Sequence, residues 1–139
     1  MSLLPRKGLL AIAAVVDVAL NARVRPVSAR KLAARHNLPS RHLKPVLQAL
    51  VHEGIFLGIR GPHGGYQLAR ERKRISVADI LRAAGSVEGD HEIDPGSRIL
   101  NEAVLPAIAE AERAFTAALA RLTIEDIARR AESLRERGD

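Results

Sequence analysis

The 139-residue sequence predicts a mainly α-helical fold carrying one small β-hairpin and a long C-terminal helix. Three observations lead there. Apolar residues recur at helical spacing in four stretches of the first 85 residues. A glycine-rich turn, "GPHGG" at 61–65, stands between two short strand-like runs. Further on, Val104, Ile108, Ala111, Phe115, Ala118 and Leu122 step alternately by four and three, the spacing of a coiled-coil seam.

Taken in order, Arg6 to Asn21 places Leu9, Ile12, Val16, Ala19 and Leu20 on one helical face and predicts a first helix. After the loop "NARVRP", Ser28 stands as an N-cap for a short second helix, "ARKLAARHN", with Leu32 and Ala33 on its buried side. "NLPS" breaks the chain. Ser40 then caps a third helix through "RHLKPVLQALVHEG", with Leu43, Val46, Leu47 and Leu50 inward and Gly54 as its stop. Pro45 lies past the first turn and removes one backbone hydrogen bond, so a late start or a bend is expected there. "IFLGIR" and "YQLAR" read as strands joined by the glycine-rich turn.

Two short helices joined by a tight turn and followed at once by a hairpin form a winged helix-turn-helix, with the hairpin as the wing. "ISVADILRAAG" is a fourth helix, capped by Ser76 with Asp79 three residues on, ending at Gly85. Residues 86–97, "SVEGDHEIDPGS", read as a loop. In the rest, Pro106 starts or kinks the long helix, and "TIED" at 123–126 caps a last short helix with a charged tail. The chain divides accordingly into a winged helix-turn-helix domain at 1–85, a loop at 86–97, and a dimerisation helix with a C-terminal helix at 98–139. The seam from Val104 to Leu122 has a second reading, an amphipathic helix packed on its own domain. Dimerisation is favoured because the front segment has a core of its own.

Composition narrows the function. The chain has no cysteine, which excludes disulfides, thiolate zinc sites, a cysteine nucleophile and a cysteine-held iron–sulfur cluster. Residues 1–75 carry fourteen Lys or Arg against three acids, a balance of +11, and residues 76–139 carry eight Arg against thirteen acids, a balance of −5. A basic front half points to a polyanion partner. The apolar stretch from Leu9 to Leu20 is short, interrupted by Asp17 and not followed by a cleavage site, so a soluble, cytoplasmic protein with no membrane partner is expected. No Ser-His-Asp or metal-ligand spacing stands out, and "GPHGG" lies between strands instead of opening a helix. No catalytic residues and no enzyme activity are therefore expected.

A helix in the major groove and a basic wing tip in the adjacent minor groove need particular side chains. Ser40, Arg41, His42 and Lys44 open the third helix, where side chains meet base edges. The fork of Arg41 matches the O6 and N7 acceptors of guanine, or it holds a phosphate. Gln48 lies one turn on, as a further contact or an ordinary surface residue. Ser28, Arg30 and Lys31 suit the DNA backbone. In the wing, Arg60 is the residue for groove insertion and His63 marks the tip, while Gly61, Gly64 and Gly65 supply the tight turn. Tyr66 is expected under the wing and not on a base. His91, Glu92 and Asp94 crowd the loop and offer a weak divalent-metal alternative to an ordinary polar loop.

"RKGLLAIAAVVDVAL", "VSARKLAARHNLPSRHLKPVLQALVHEGIF", "IRGPHGGYQLAR", "ISVADILRAAG" and "LTIEDI" together resemble the Rrf-type winged-helix transcription regulator family, the IscR-, NsrR- and CymR-like proteins. The resemblance spans nearly the whole chain, and the wing is its most specific part. It implies a homodimer on a partly palindromic operator in double-stranded DNA, usually repressing, with a sensor region between the fourth and the long helix. Many members hold an iron–sulfur cluster there through three cysteines. Here that region is 86–97, without cysteine, and the positions matching first-helix carboxylate ligands of some relatives are Leu9 and Leu10. The expectation is a cysteine-free member with no cofactor and its signal open; the alternative is a regulator switched by a small molecule or a metal at the 86–97 loop. The rival class is an interaction module acting mainly through a protein partner.

Overall fold

A computed structural model describes residues 3–85 and 97–136. The chain runs α1 (Arg6–Asn21), α2 (Ala29–Arg35), α3 (Ser40–His52), β1 (Phe56–Ile59), β2 (Gly65–Leu68), a single 3-10 turn (Arg72–Arg74) and α4 (Val77–Gly85). After the undescribed stretch come a five-residue π-helical segment (Leu100–Val104), α5 (Leu105–Arg121) and α6 (Ile124–Glu136). His91, Glu92 and Asp94 lie outside the described residues.

Three of the four helix ends in the helix-turn-helix are closed by a cap or a left-handed turn. Ser28 accepts a hydrogen bond at its Oγ from the Lys31 N–H, 3.2 Å, and starts α2. α2 ends with Asn37 in the left-handed region, φ 55°, and the Leu38 N–H returns to the Ala33 carbonyl at 2.9 Å. α3 ends the same way at Gly54, φ 76°, with the Ile55 N–H on the Leu50 carbonyl at 2.9 Å. The start of α3 differs from expectation. Pro39 occupies the N-cap, no side chain caps the helix, and Ser40 is its first residue. Pro45 neither delays nor interrupts α3, because the carbonyl it leaves unpaired four residues back belongs to Arg41, on the exposed side.

β1 and β2 pair antiparallel with Phe56 opposite Leu68 and Ile59 opposite Gly65. The hairpin is also stitched to the segment before α2, since Val27 and Tyr66 exchange backbone hydrogen bonds of 3.0 and 2.8 Å. That close approach fixes Gly65, where a Cβ would stand 2.3 Å from the Val27 carbonyl oxygen. Tyr66 lies half-buried with its ring 5.6 Å from that of Phe56.

One core holds the front of the chain. Val15 and Val18 of α1, Leu32 of α2, Leu47 and Leu50 of α3, Phe56 of β1, Ile80 of α4 and Ile124 of α6 are buried in a single cluster. α6 is thus no short appendage: it runs thirteen residues and packs back onto α1. Ser76/Asp79 and Thr123/Asp126 form reciprocal caps at the starts of α4 and α6, with bonds of 3.0 to 3.2 Å.

The long helix begins before Pro106. The Ser97 Oγ accepts from the Leu100 N–H at 3.1 Å, and the chain is helical from Arg98 onward. The π-helical segment precedes the proline, whose ring and missing N–H disfavour a regular turn there. α5 buries none of its residues, and Val104, Ile108 and Phe115 stay 44, 50 and 36% exposed. No helix among the described residues is long and apolar enough to cross a membrane.

Candidate nucleic-acid interface

α3 separates its faces cleanly. Leu43, Val46, Leu47 and Leu50 are buried, whereas Ser40, Arg41, His42, Lys44 and Gln48 are exposed. Burial of the first set sets the rotation of the helix and so presents the second set to solvent. Arg30 and Lys31 are likewise exposed on the first turn of α2.

The wing turn is a tight loop closed by the Gly64 N–H on the Gly61 carbonyl at 2.9 Å. Gly61 adopts φ 112°, and a Cβ at Gly64 would lie 2.1 Å from the Ile59 carbonyl oxygen, so both positions demand glycine. Arg60, Gly61 and His63 are exposed at this tip. Arg60, Gly61 and Gly64 share a crevice of about 610 Å³ with Ser28 of the α2 cap and Val51 of α3. The structure therefore brings together wing-tip and α2 residues that lie over thirty positions apart in sequence. Arg41, His42 and Lys44 lie outside that crevice.

His42 lines a second hollow of about 210 Å³ between α1 and α3, beside Arg6, Lys7 and Leu10. Sequence reasoning did not single out Arg6 and Lys7 as candidates. Their signal is that two cations open a helix whose first turn holds no acid, against the preference of a helix N-terminus for negative charge. α2 and α3 repeat the pattern with Arg30, Lys31 and Arg41. In contrast, α4 and α6 carry Asp79, Glu125 and Asp126 in their first turns.

Behind the interface, Asp17 of α1 is the one buried charge among the described residues, 6% exposed. Its carboxylate accepts from Asn21 Nδ2 at 2.9 Å, pairs with the Arg35 guanidinium at 3.1 Å, and lies 2.9 Å from His36 Nε2. This cluster ties the end of α2 to α1 and so holds the helix-turn-helix at a fixed angle on the core. Sequence periodicity could not find it, since Asp17 and His36 are nineteen residues apart.

The chain matches the model of the Rrf2 family, described as an iron-dependent transcriptional regulator, over residues 4–130. The transcriptional regulator IscR of Xenorhabdus nematophila is 29% identical over 137 residues, 94% of this chain and 82% of that protein. The solved structure of T. potens IscR, 25% identical, superposes with a TM-score of 0.73 over 94% of this chain and 89% of that one. The structure of CymR, the global cysteine regulator of B. subtilis, is also 25% identical, with a TM-score of 0.68 over 92 and 97% of the two chains. These relatives are transcriptional regulators and not enzymes.

The family description raises the question of iron. The chain has no cysteine, and Leu9 and Leu10 offer no carboxylate. Among the described residues no three His, Asp or Glu side chains gather into a metal-holding group. The donor set of a thiolate-held cluster does not fit this sequence.

Proposed function

The chain belongs to the Rrf2 family of transcriptional regulators, and on that footing we propose that it is a homodimeric, sequence-specific repressor of a partly palindromic operator. The carrying observation is the charge at the helix starts. Three helices at the front open on cations with no acid in the first turn, an arrangement disfavoured by about 0.3–1 kcal/mol per charge unless an anion is bound nearby. A DNA backbone supplies that anion.

In this reading α3 enters the major groove through Ser40, Arg41, His42 and Lys44, with Arg41 at a guanine edge or a phosphate. Ser28, Arg30 and Lys31 hold the backbone. Arg60, Gly61, His63 and Gly64 carry the wing into the neighbouring minor groove. Dimerisation runs through α5 and the π-helical turn before it: Val104, Ile108, Ala111, Phe115 and Ala118 are exposed in the single chain, with half-buried Leu122 just past the end of α5. That exposure favours dimerisation over packing of α5 on its own domain. In this reading the chain acts in the cytoplasm, on double-stranded DNA.

Sedimentation of the purified chain, alone and with a duplex selected from a random-sequence pool, tests the reading. A dimer that binds the selected duplex far more tightly than a scrambled one supports it. A monomer, or equal binding to both duplexes, contradicts it.

A further inference from the structure

The wing is tied to the far end of the molecule. After β2 the chain passes through the Arg72–Arg74 turn and meets the junction of α5 and α6 at Ile75, Ser76 and Val77. There the Val77 N–H donates to the Leu122 carbonyl at 2.8 Å, and the Ile124 N–H donates to the Ile75 carbonyl at 2.9 Å. Arg72 reinforces this seam. Its Nε and one terminal nitrogen grip Glu125 at 2.5 and 3.3 Å, and the other reaches Glu132 at 3.0 Å, both on α6. Arg72 is only 20% exposed, while Lys73 beside it is 70% exposed and pairs with Glu71. The Arg72 hydrogen bonds hold the Glu125 carboxyl below the usual glutamate range.

A hairpin with four residues per strand has little stiffness of its own, so its direction is set by what anchors its base. One edge is fixed by Val27, and the Ala69 N–H holds the base on the Ile55 carbonyl at 2.9 Å. The exit is fixed by the planar fork of Arg72, which is directional where a lysine would be a point charge.

We propose that Arg72 is a positioning residue for DNA binding: by locking the wing exit onto α6, it sets the angle at which Arg60 and His63 meet the duplex and ties that angle to the α5–α6 junction. The proposal rests on the reading of the wing as a DNA contact.

The test uses the full chain as parent, Arg72→Ala, Arg72→Lys and Arg129→Ala. The last removes another ion pair to Glu125, at 3.0 Å, without touching the wing exit. Thermal melts confirm folding, and if Arg72→Ala fails to fold, Arg72→Lys carries the comparison. Arg60→Ala is then introduced into each background, and affinity is read on a duplex selected by the parent from a random pool. In the parent and in Arg129→Ala, Arg60→Ala weakens binding about ten-fold or more; in both Arg72 variants it costs less than about three-fold, because a misaimed wing has lost its contact already. Acrylamide quenching gives a readout without DNA, since Tyr66 is the sole tyrosine and the chain has no tryptophan. Quenching rises in both Arg72 variants and is unchanged in Arg129→Ala. Equal Arg60→Ala losses in every background, full rescue by Arg72→Lys, or unaltered quenching would each overturn the proposal. If the parent selects no duplex, the DNA-binding reading falls, and the quenching comparison alone decides whether Arg72 holds the wing.

Discussion

Arg60 and Asp17 stand for two ways in which one side chain would serve the proposed interface. Arg60 is exposed at the wing tip, so replacing it would remove the proposed DNA contact without disturbing the core. Arg60→Ala is expected to weaken operator binding by about 1–3 kcal/mol with an unchanged melting temperature, read by fluorescence anisotropy and a thermal melt. Asp17 touches no DNA in this account, yet Asp17→Ala leaves Arg35 and His36 without their acceptor. A fully buried pair would lose more; with Arg35 42% exposed the expected destabilisation is about 1–2 kcal/mol by urea unfolding. The Glu125 carboxyl is lowered first by its hydrogen bond from Arg72, then by that from Arg129. A lowered carboxyl contributes stability that is fully present above its unfolded value, about 4.3 for glutamate, and lost as pH falls through the folded value. The melting-point gap between parent and Arg72→Ala should therefore be full near neutral pH and close below about pH 4. A gap independent of pH would deny the ion pair its role.

At the scale of elements, helices were legible wherever a local rule decides them. The caps at Ser28, Ser76 and Thr123 and the turn at Gly54 depend on residues three or four apart, and all are formed. Ser40 was misread because a serine before an apolar run looks like a cap, whereas the bend supplied by Pro39 already starts α3. The π-helical entry to α5 and the return of α6 to the core were not legible, for both depend on distant packing. α5 carries the element-scale prediction. Ile108 and Phe115 on its apolar face are exposed, and Ile108→Glu with Phe115→Glu should yield folded monomers by light scattering. Loss of the paired half-site contact should then weaken operator binding by about a hundred-fold or more. Retained dimers would move the interface elsewhere.

For the whole molecule, the division of charge was visible in the sequence and its purpose was not. The front half carries +11 and the rear half −5, which points to a polyanion partner but does not say which cations meet it. The fold answers part of this by gathering Ser28 and Arg60 in one crevice and Arg6 and Lys7 beside His42. Those groupings arise from the shared core, which no single stretch encodes. Salt dependence separates the roles: Lys31→Ala, at a phosphate, should lower the slope of log affinity against log salt by about one, with sequence preference kept. A changed preference at constant slope would move Lys31 to a base edge. Whether a dimer of this chain reads a symmetric DNA sequence is tested most directly by selecting bound genomic fragments with the purified chain at moderate and high salt. The expected result is a shared two-fold-symmetric site, with half-sites about one helical turn apart, that persists as salt rises. Fragments with no common site, lost together at high salt, would contradict it.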